Sequence, residues 1–193
     1  MSLDGFVTGP NPGPANGLGD GGEALHNWVF NGDAEDQRIL EEALGRTGAV
    51  VLGRNLFDVI DSPGGWSEKG AFGGPRTEGI EPPPNFVVTH SAPVGSRLAE
   101  TGVAGAFEFV DGLAETVSAA REAAGDKGVT VMGGGDVCGQ CVASGLADEV
   151  WIHLSPMLLG SGTPLFSEPA SVSLEQVEVI PTLVATHLHY VVV

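Results

Sequence analysis

The sequence contains few basic residues. Of its 193 residues, 8 are lysine or arginine and 25 are aspartate or glutamate, so the formal net charge is −17. A surface this acidic repels the phosphates of nucleic acids and of anionic lipids, which argues against nucleic-acid and membrane partners. An anionic ligand would have to be held locally, by backbone N–H groups and a few selected cations.

Long apolar runs and a cysteine framework are also absent. No run of about 18 apolar residues is present to span a membrane. The start of the chain, Met-Ser-Leu-Asp-Gly, has neither the basic nor the apolar region of a signal peptide. Two cysteines three positions apart, Cys138 and Cys141, do not make a disulfide framework. These absences predict a cytoplasmic protein.

Apolar strands and amphipathic helices alternate through most of the chain. Buried strands are predicted at 49–53, 85–89, 106–110 and 129–132, and helices at 33–46, 113–124 and 136–146. Segments 149–160, 173–181 and 184–193 follow as strands without helices between them, and glycine-rich loops are predicted at 5–22 and 61–84. This order predicts one α/β domain over residues 1–193. It would have a mostly parallel central sheet flanked by helices, with an antiparallel C-terminal edge.

Three consecutive glycines, Gly133, Gly134 and Gly135, follow a buried strand and precede a helix that starts with Asp136 and Val137. Glycine lets the backbone approach a ligand closely and adopt positive φ. The helix that follows directs unpaired N–H groups and the positive end of its dipole toward the same space. This order predicts a pyrophosphate site, and the alternative is a tight turn without a ligand.

Two further strand ends carry residues suited to phosphate. They are Gly53-Arg54-Asn55 and Thr89-His90-Ser91. Open α/β sheets bind ligands at the carboxyl ends of their strands, so an arginine, two hydroxyls and an imidazole at these positions favour a nucleotide cleft. The alternative for Arg54 is an ion pair with a nearby carboxylate such as Asp58.

Asp4 comes where a first strand should end, and it opens the long loop at 5–22. A carboxylate shielded by that loop would have a raised pKa, which suits proton delivery near neutral pH. The alternative is that Asp4 hydrogen-bonds only the backbone of its own turn. Trp28 and Trp66 flank glycine-rich loops and could stack on a planar substrate, with core packing as the alternative.

Two other patterns are weaker. Cys138 and Cys141 have the spacing of a redox pair, although they could equally be small buried helix residues, and they lack the second pair that a zinc site needs. His187 and His189 would point to one face of a strand, with His153 on a neighbouring strand as the only obvious third metal ligand. The alternative is the polar face of an edge strand, and no metal site is predicted.

Several segments together resemble the dihydrofolate-reductase-like family. They are residues 2–5 (SLDG), 51–54 (VLGR), 86–89 (FVVT), 131–135 (VMGGG), and 146–150 (LADEV) through 158–166 (LLGSGTPLF). Over nearly its whole length, the chain is similar to stand-alone relatives of the C-terminal reductase domain of bacterial riboflavin-biosynthesis deaminase/reductases. The SLDG and LLGSGTPLF segments are the most specific parts of this resemblance.

The resemblance implies a dihydrofolate-reductase-like fold that binds NADPH, with the pyrophosphate at Gly134 and Gly135. Arg54 and the turn at 89–91 would lie near its phosphates. Two features depart from the family. Met132 stands where riboflavin reductases commonly carry a glutamate that helps to bind the pyrimidine. In addition, only residue 1 precedes SLDG where the family has a full strand, so the chain would begin late or be truncated there.

The sequence is therefore interpreted as an NADPH-dependent reductase. It would deliver hydride to a small heterocycle or ribosyl-pyrimidine, as a 5-amino-6-(5-phosphoribosylamino)uracil reductase or a dihydrofolate reductase does. NADPH is expected to bind better than NADH because the turn at 89–91 offers local donors. The alternatives are a nucleotide-binding module of the same fold without catalysis, and a thiol oxidoreductase that uses the cysteine pair.

Apolar residues in the strand-rich tail predict a homodimer. An edge strand of a monomer cannot bury them all, and an exposed apolar edge promotes aggregation. These residues are Trp151, Ile152, Leu154, Leu158, Leu159 and 191–193.

Overall fold

The structure is a computed structural model that describes residues 1–67, 81–167 and 171–193. Of the loop predicted at 61–84, residues 68–80 lie outside the described residues. The chain divides into two compact units. The parallel unit comprises Gly13–Gly17 and Leu40–Gly133, and the antiparallel unit comprises Met1–Pro12, Leu18–Ile39 and Gly134–Val193. The single domain over 1–193 stays a prediction.

The helices and strands of both units follow one another along the chain in this order: a 3-10 helix (Gly22–His26), α1 (Asn27–Asn31), α2 (Ala34–Arg46), β1 (Thr47–Gly53), α3 (Arg54–Ile60), β2 (Asn85–Val88), α4 (Arg97–Thr101), β3 (Phe107–Val110), α5 (Leu113–Ala124), β4 (Gly128–Val131), α6 (Gly135–Ala143), β5 (Glu149–Leu154), β6 (Leu174–Pro181) and β7 (Thr186–Val192).

The parallel unit is built on a four-stranded, all-parallel sheet in the order β3-β2-β1-β4. Its central strand β1 is almost wholly buried, which explains its continuous apolar sequence. Helix α5 packs on β1 and β2 through a buried stripe that includes Val117 and Ala120. A second group of apolar side chains forms the core cluster of this unit: Val50, Leu52, Phe57, Ile60, Val87, Leu98 and Ala104.

The antiparallel unit is built on a three-stranded sheet in the order β5-β7-β6. Strand β7 lies in the middle and pairs Trp151 with His189 and His153 with His187 across to β5. On its other side β7 pairs with β6, whose residues are almost all exposed. Because β7 is the central strand, its histidines do not lie on an edge strand.

The fold class predicted from the sequence is confirmed, with the antiparallel strands forming their own sheet. The largest differences from the predicted boundaries are in α6, which ends at Ala143 rather than at 146, and in the strand predicted at 149–160, which ends at Leu154. Among the described residues, no helix combines the length and the apolar character that crossing a bilayer requires.

Candidate active site

Parallel pairing brings several predicted site residues to one edge of the sheet in the parallel unit. Gly53 at the end of β1 pairs with Val88 of β2, and Val88 pairs in turn with Val110 of β3. Residues 53–55 and 89–91 follow these positions directly, so they lie at the carboxyl edge where open α/β sheets bind ligands. The predicted proximity of these two strand ends is confirmed.

Arg54 begins α3 and connects the two strand ends. Its Nε donates to Asp58 Oδ1 at 2.7 Å, and its Nη1 donates to the carbonyl oxygen of Ser91 at 2.7 Å. The ion pair with Asp58, which was the alternative to a phosphate partner, is therefore present. The Arg54 side chain is a third exposed, and its guanidinium has five donor hydrogens in all. The ion pair with Asp58 therefore does not prevent the guanidinium from binding a phosphate as well.

The turn after β2 is ordered by its own hydroxyl and by a carboxylate from the next strand. Thr89 Oγ1 donates to the Ser91 carbonyl at 3.0 Å, and the Ser91 N–H donates back to Thr89 Oγ1 at 3.3 Å. His90 Nδ1 lies 2.7 Å from Asp111 Oδ1. Sequence reasoning missed Asp111, although it follows β3 just as Thr89 follows β2.

The glycine segment after β4 has the backbone that its sequence predicts. Gly133 and Gly134 adopt φ of 53° and 70°, a region that favours glycine. A Cβ at Gly134 would meet no atom within 4 Å, whereas one at Gly135 would overlap the carbonyl of Pro164. Gly135 is thus required by packing inside the protein, and Gly134 is the glycine that leaves space for a ligand.

The first turn of α6 offers a ligand few side-chain groups besides its backbone N–H groups. Val137 is buried, so its side chain belongs to the core. The Asp136 carboxylate is turned along the helix, where its Oδ1 accepts from Gln140 Nε2 at 3.0 Å. A ligand at this turn would therefore meet N–H groups and the negative charge of Asp136.

Asp4 lies in the antiparallel unit, exposed to solvent. Its carboxylate accepts hydrogen bonds from the backbone N–H groups of Leu159 (3.1 Å) and Gly160 (2.7 Å). The Ser2 hydroxyl, together with these two N–H groups, lowers the pKa of Asp4 to about 2. This shift is opposite to the predicted one, because hydrogen bonds to the ionised form outweigh any shielding.

The two tryptophans are packed into the protein. Trp28 is 9% exposed, and the imidazole of His153 stacks on its ring at a centroid distance of 4.1 Å. Trp66 packs against the core cluster of the parallel unit, and its carbonyl accepts from Arg97 Nη2 at 2.7 Å. These contacts favour core packing, the alternative to substrate stacking, most clearly for Trp28.

The cysteine pair lacks the chemistry of a redox site. Cys141 is buried, and burial raises the pKa of Cys138 to about 12. A thiol with this pKa forms almost no thiolate at neutral pH, so it is a poor nucleophile. In the part of the chain that the structure describes, no group of three histidine, cysteine, aspartate or glutamate side chains is arranged so that it could hold a metal ion.

The histidines of β7 do not form the polar face of an edge strand, and that interpretation of the sequence is wrong. His187 is fully buried, and its Nε2 lies 2.8 Å from Asp36 Oδ1. Its Nδ1 lies 2.7 Å from His153 Nδ1 on β5. His189 shares the face, as predicted, and stacks on Trp151. The arrangement is a buried polar chain from Asp36 through His187 to His153.

Fold and sequence comparisons define the class of this protein. A dihydrofolate reductase from Enterococcus faecalis, complexed with NADP(H), is 19% identical with a TM-score of 0.50, and the match covers 82% of this chain and 81% of that one. A protein from Shewanella sp. PV-4, provisionally assigned to riboflavin biosynthesis, is 22% identical with a TM-score of 0.66, covering 100% and 95% of the two chains. The fold is dihydrofolate-reductase-like.

The family follows from the sequence itself. The family model for the RibD C-terminal domain matches residues 1–186, and the chain belongs to that family. No curated protein matches the chain. A Thermotoga maritima diaminohydroxyphosphoribosylaminopyrimidine deaminase/5-amino-6-(5-phosphoribosylamino)uracil reductase is 13% identical with a TM-score of 0.67, covering 100% of this chain and 54% of that one. This chain thus spans about half of that bifunctional protein, and the family supports an oxidoreductase of the riboflavin-pathway type.

Proposed function

We propose that the protein is an NADPH-dependent reductase that acts on a C=N or C=O carbon of a small heterocycle or ribosyl-pyrimidine. The substrate would resemble that of a 5-amino-6-(5-phosphoribosylamino)uracil reductase or of a dihydrofolate reductase. Membership of the RibD C-terminal domain family supports the class of reaction. The observation that supports a bound nicotinamide cofactor is the backbone at Gly134, directly before α6, which has positive φ and open space beside it.

The residues proposed to bind NADPH have two kinds of chemistry. Gly133 to Val137 would contribute backbone N–H groups at the start of α6, where the helix dipole favours a pyrophosphate. The strand ends of the parallel unit would contribute side-chain donors. These are Arg54, Asn55, Thr89, His90 and Ser91. Gly53, which has no side chain, would let the backbone approach the cofactor closely. When bound, the cofactor would supply the hydride, and the protein would supply position and polarity.

Asp4 is the proposed catalytic residue, with a role adjusted to its pKa. With a pKa of about 2 it is ionised at neutral pH, so it accepts hydrogen bonds and does not donate a proton. We propose that its carboxylate orients an N–H group of the substrate or the water that protonates it. The reduced carbon would gain the hydride and leave the nicotinamide oxidised, and the nitrogen or oxygen of the same double bond would gain a proton from that water, which would take a proton back from the solvent.

The substrate is defined only by class. Met132 stands before the glycine segment and packs against the core cluster of the parallel unit. An apolar side chain at this position offers no carboxylate to the pyrimidine, which separates this chain from reductases that have a glutamate there. We propose Trp66 ahead of Trp28 as a contact for a planar substrate, since Trp28 is almost fully buried.

A homodimer is proposed from the exposed apolar side chains of the antiparallel unit. On β6, Val177 and Val179 are 54% and 45% exposed, and Leu158 and Val193 are 72% and 68% exposed. Covering them with a second copy would remove apolar surface from water. A monomeric mass in light scattering at micromolar concentration would contradict this. A cytoplasmic location is part of the same proposal.

The first experiment is titration of the protein with NADPH, followed by fluorescence, and then turnover with a panel of pterins and aminopyrimidine ribosides. Gly134→Val is expected to weaken NADPH binding at least tenfold, about 1.4 kcal/mol, by closing the open space beside the backbone. Gly145→Val is the matched control, because Gly145 also has positive φ (69°) and open surroundings. Equal losses in both variants would contradict the assignment.

The runner-up function is a nucleotide-binding module without catalysis. The low pKa of Asp4 favours it in one respect, because an ionised carboxylate cannot serve as the acid of a reduction. This alternative predicts tight NADPH binding with no turnover on any member of the panel. The thiol oxidoreductase is disfavoured by the raised pKa of Cys138.

A further inference from the structure

Arg54 and His90, at the carboxyl edge of the parallel sheet, each have a carboxylate partner. Arg54 contacts Asp58, and His90 contacts Asp111, each at 2.7 Å. The carboxylate of Asp111 is 70% exposed and the imidazole of His90 is 96% exposed, so both face solvent. A ligand that approaches the turn at 89–91 therefore meets the carboxylate of Asp111 beside the imidazole of His90.

The position of Asp111 is set by the sheet register. Val88 pairs with Val110, and the N–H of Thr89 donates to the Val110 carbonyl at 2.9 Å. Asp111 is the next residue, so its carboxylate stands beside the turn that carries the hydroxyls and the imidazole. The parallel pairing of β2 and β3 holds it there, independently of any bound ligand.

The consequence is electrostatic. NADPH differs from NADH by one phosphate on the adenosine ribose, which carries close to two negative charges at neutral pH. Two unit charges about 4 Å apart interact by roughly 1 kcal/mol even in bulk water, and less once salt screens them. A carboxylate at the edge of this turn therefore opposes the phosphorylated cofactor more strongly than the cofactor without that phosphate.

We propose that Asp111 is a specificity-determining residue that keeps the preference for NADPH over NADH small. This inference rests on the proposed function, and it assigns to Asp111 a role that is separate from catalysis. In the protein as it stands, the hydroxyls of the turn and the guanidinium of Arg54 favour the extra phosphate and Asp111 opposes it. Replacing Asp111 by a neutral residue would remove that opposition.

The test measures dissociation constants of NADPH and NADH for the unaltered protein, for Asp111→Asn and for Asp126→Asn, at low and at high salt. Asparagine keeps an oxygen that can accept from His90 while losing the charge. Asp126 is an exposed carboxylate that precedes β4, at the opposite end of the sheet, so its variant changes the net charge equally. Thermal unfolding of each variant verifies that it is folded.

Asp111→Asn is expected to raise the ratio of NADPH to NADH affinity by about threefold to tenfold at low salt, with NADH affinity changing less than NADPH affinity. The gain should shrink at high salt, and Asp126→Asn should leave the ratio as it was. An unchanged ratio in a folded Asp111→Asn variant that binds both cofactors overturns this inference alone. Failure of the unaltered protein to bind either cofactor overturns the proposed function and this inference with it.

Discussion

Two aspartate–histidine pairs with nearly the same nitrogen–oxygen distance lie in the two units. In the parallel unit, His90 and Asp111 are 2.7 Å apart with side chains 96% and 70% exposed. In the antiparallel unit, His187 and Asp36 are 2.8 Å apart with both side chains at 0%. The aspartate–histidine pair is therefore exposed to solvent in the parallel unit and buried in the core of the antiparallel unit. The surroundings decide what each pair can do.

The buried pair is supported on every side. Asp33 caps α2 by accepting from the Asp36 N–H at 3.2 Å, while Asp36 Oδ2 accepts from the Asp33 N–H at 2.8 Å, as in a capping box. Thr182 Oγ1 donates to Asp36 Oδ1 at 2.9 Å, and His153 continues the chain beyond His187. A buried charge needs this degree of satisfaction, because an unpaired one is costly.

The exposed pair has no such requirement, because water solvates both partners. A contact of this kind between exposed side chains contributes little to stability, and both side chains stay available to a ligand. The comparison teaches that the antiparallel unit uses its aspartate and histidine to hold strands and helices together. The parallel unit keeps the same two residue types at a sheet edge, where ligand recognition takes place.

The largest expected effect comes from breaking the buried pair. His187→Ala leaves the Asp36 carboxylate buried without its main partner and should lower the free energy of unfolding by about 3–5 kcal/mol. His90→Ala is the matched control and should leave stability unchanged. Chemical denaturation of both variants measures the difference. Equal stabilities would show that burial does not separate the two pairs.

Removing the charge of the exposed carboxylate of Asp4 should affect turnover, whereas disturbing the buried carboxylate of Asp36 affects stability. Asp4→Asn keeps an oxygen for the N–H groups of Leu159 and Gly160 but loses the negative charge, so we expect turnover to fall roughly a hundredfold. NADPH affinity and the denaturation midpoint should stay as they are. Normal turnover, or a loss of stability in place of a loss of turnover, would assign Asp4 to the structure alone.

Part of the pH dependence of stability should arise from the buried polar chain of Asp36, His187 and His153. Burial, aided by the nearby His187, lowers the pKa of His153 from 6.5 to about 3. Between pH 6.5 and 3, His153 therefore binds a proton in the unfolded chain but not in the folded protein. Stability from the neutral imidazole is therefore complete above pH 6.5 and is lost as the pH falls toward 3, by up to about 1.4 kcal/mol per pH unit.

Denaturation at a series of pH values between 7 and 4 measures this slope. His153→Gln keeps a hydrogen-bonding side chain but removes the titrating group, so its stability should vary less over the same range. His90→Gln, at an exposed histidine, should retain the slope of the unaltered protein. If the slope in His153→Gln is as steep as in the unaltered protein, His153 is not the titrating group.

The smallest expected effect concerns the buried thiols. Because burial holds the pKa of Cys138 at about 12, the cysteine pair should take no part in turnover. The double variant Cys138→Ser with Cys141→Ser should reduce NADPH-dependent activity less than twofold in the folded fraction. Slow alkylation of the native protein by iodoacetamide would agree with this, and loss of activity without unfolding would revive a thiol mechanism.

Much of the fold and part of the candidate site were predictable from the sequence. Apolar runs predicted β1 and β2 because strands buried on both faces are apolar at every position. The glycine segment at 133–135 predicted the positive φ of Gly133 and Gly134, because it depends on local backbone sterics. The strand ends at 53–55 and 89–91 could be placed together because parallel strands share one carboxyl edge.

Only the tertiary structure decided the pairs that join distant parts of the chain. Asp36 and His187 are separated by 151 positions, and no local pattern connects them. The lowering of the Asp4 pKa depends on the N–H groups of Leu159 and Gly160. The partner of His90 depends on the register between β2 and β3. Local sterics and hydrophobicity determine where strands and turns form. Burial and electrostatics depend on which residues meet in space, so they become defined only when the chain has folded.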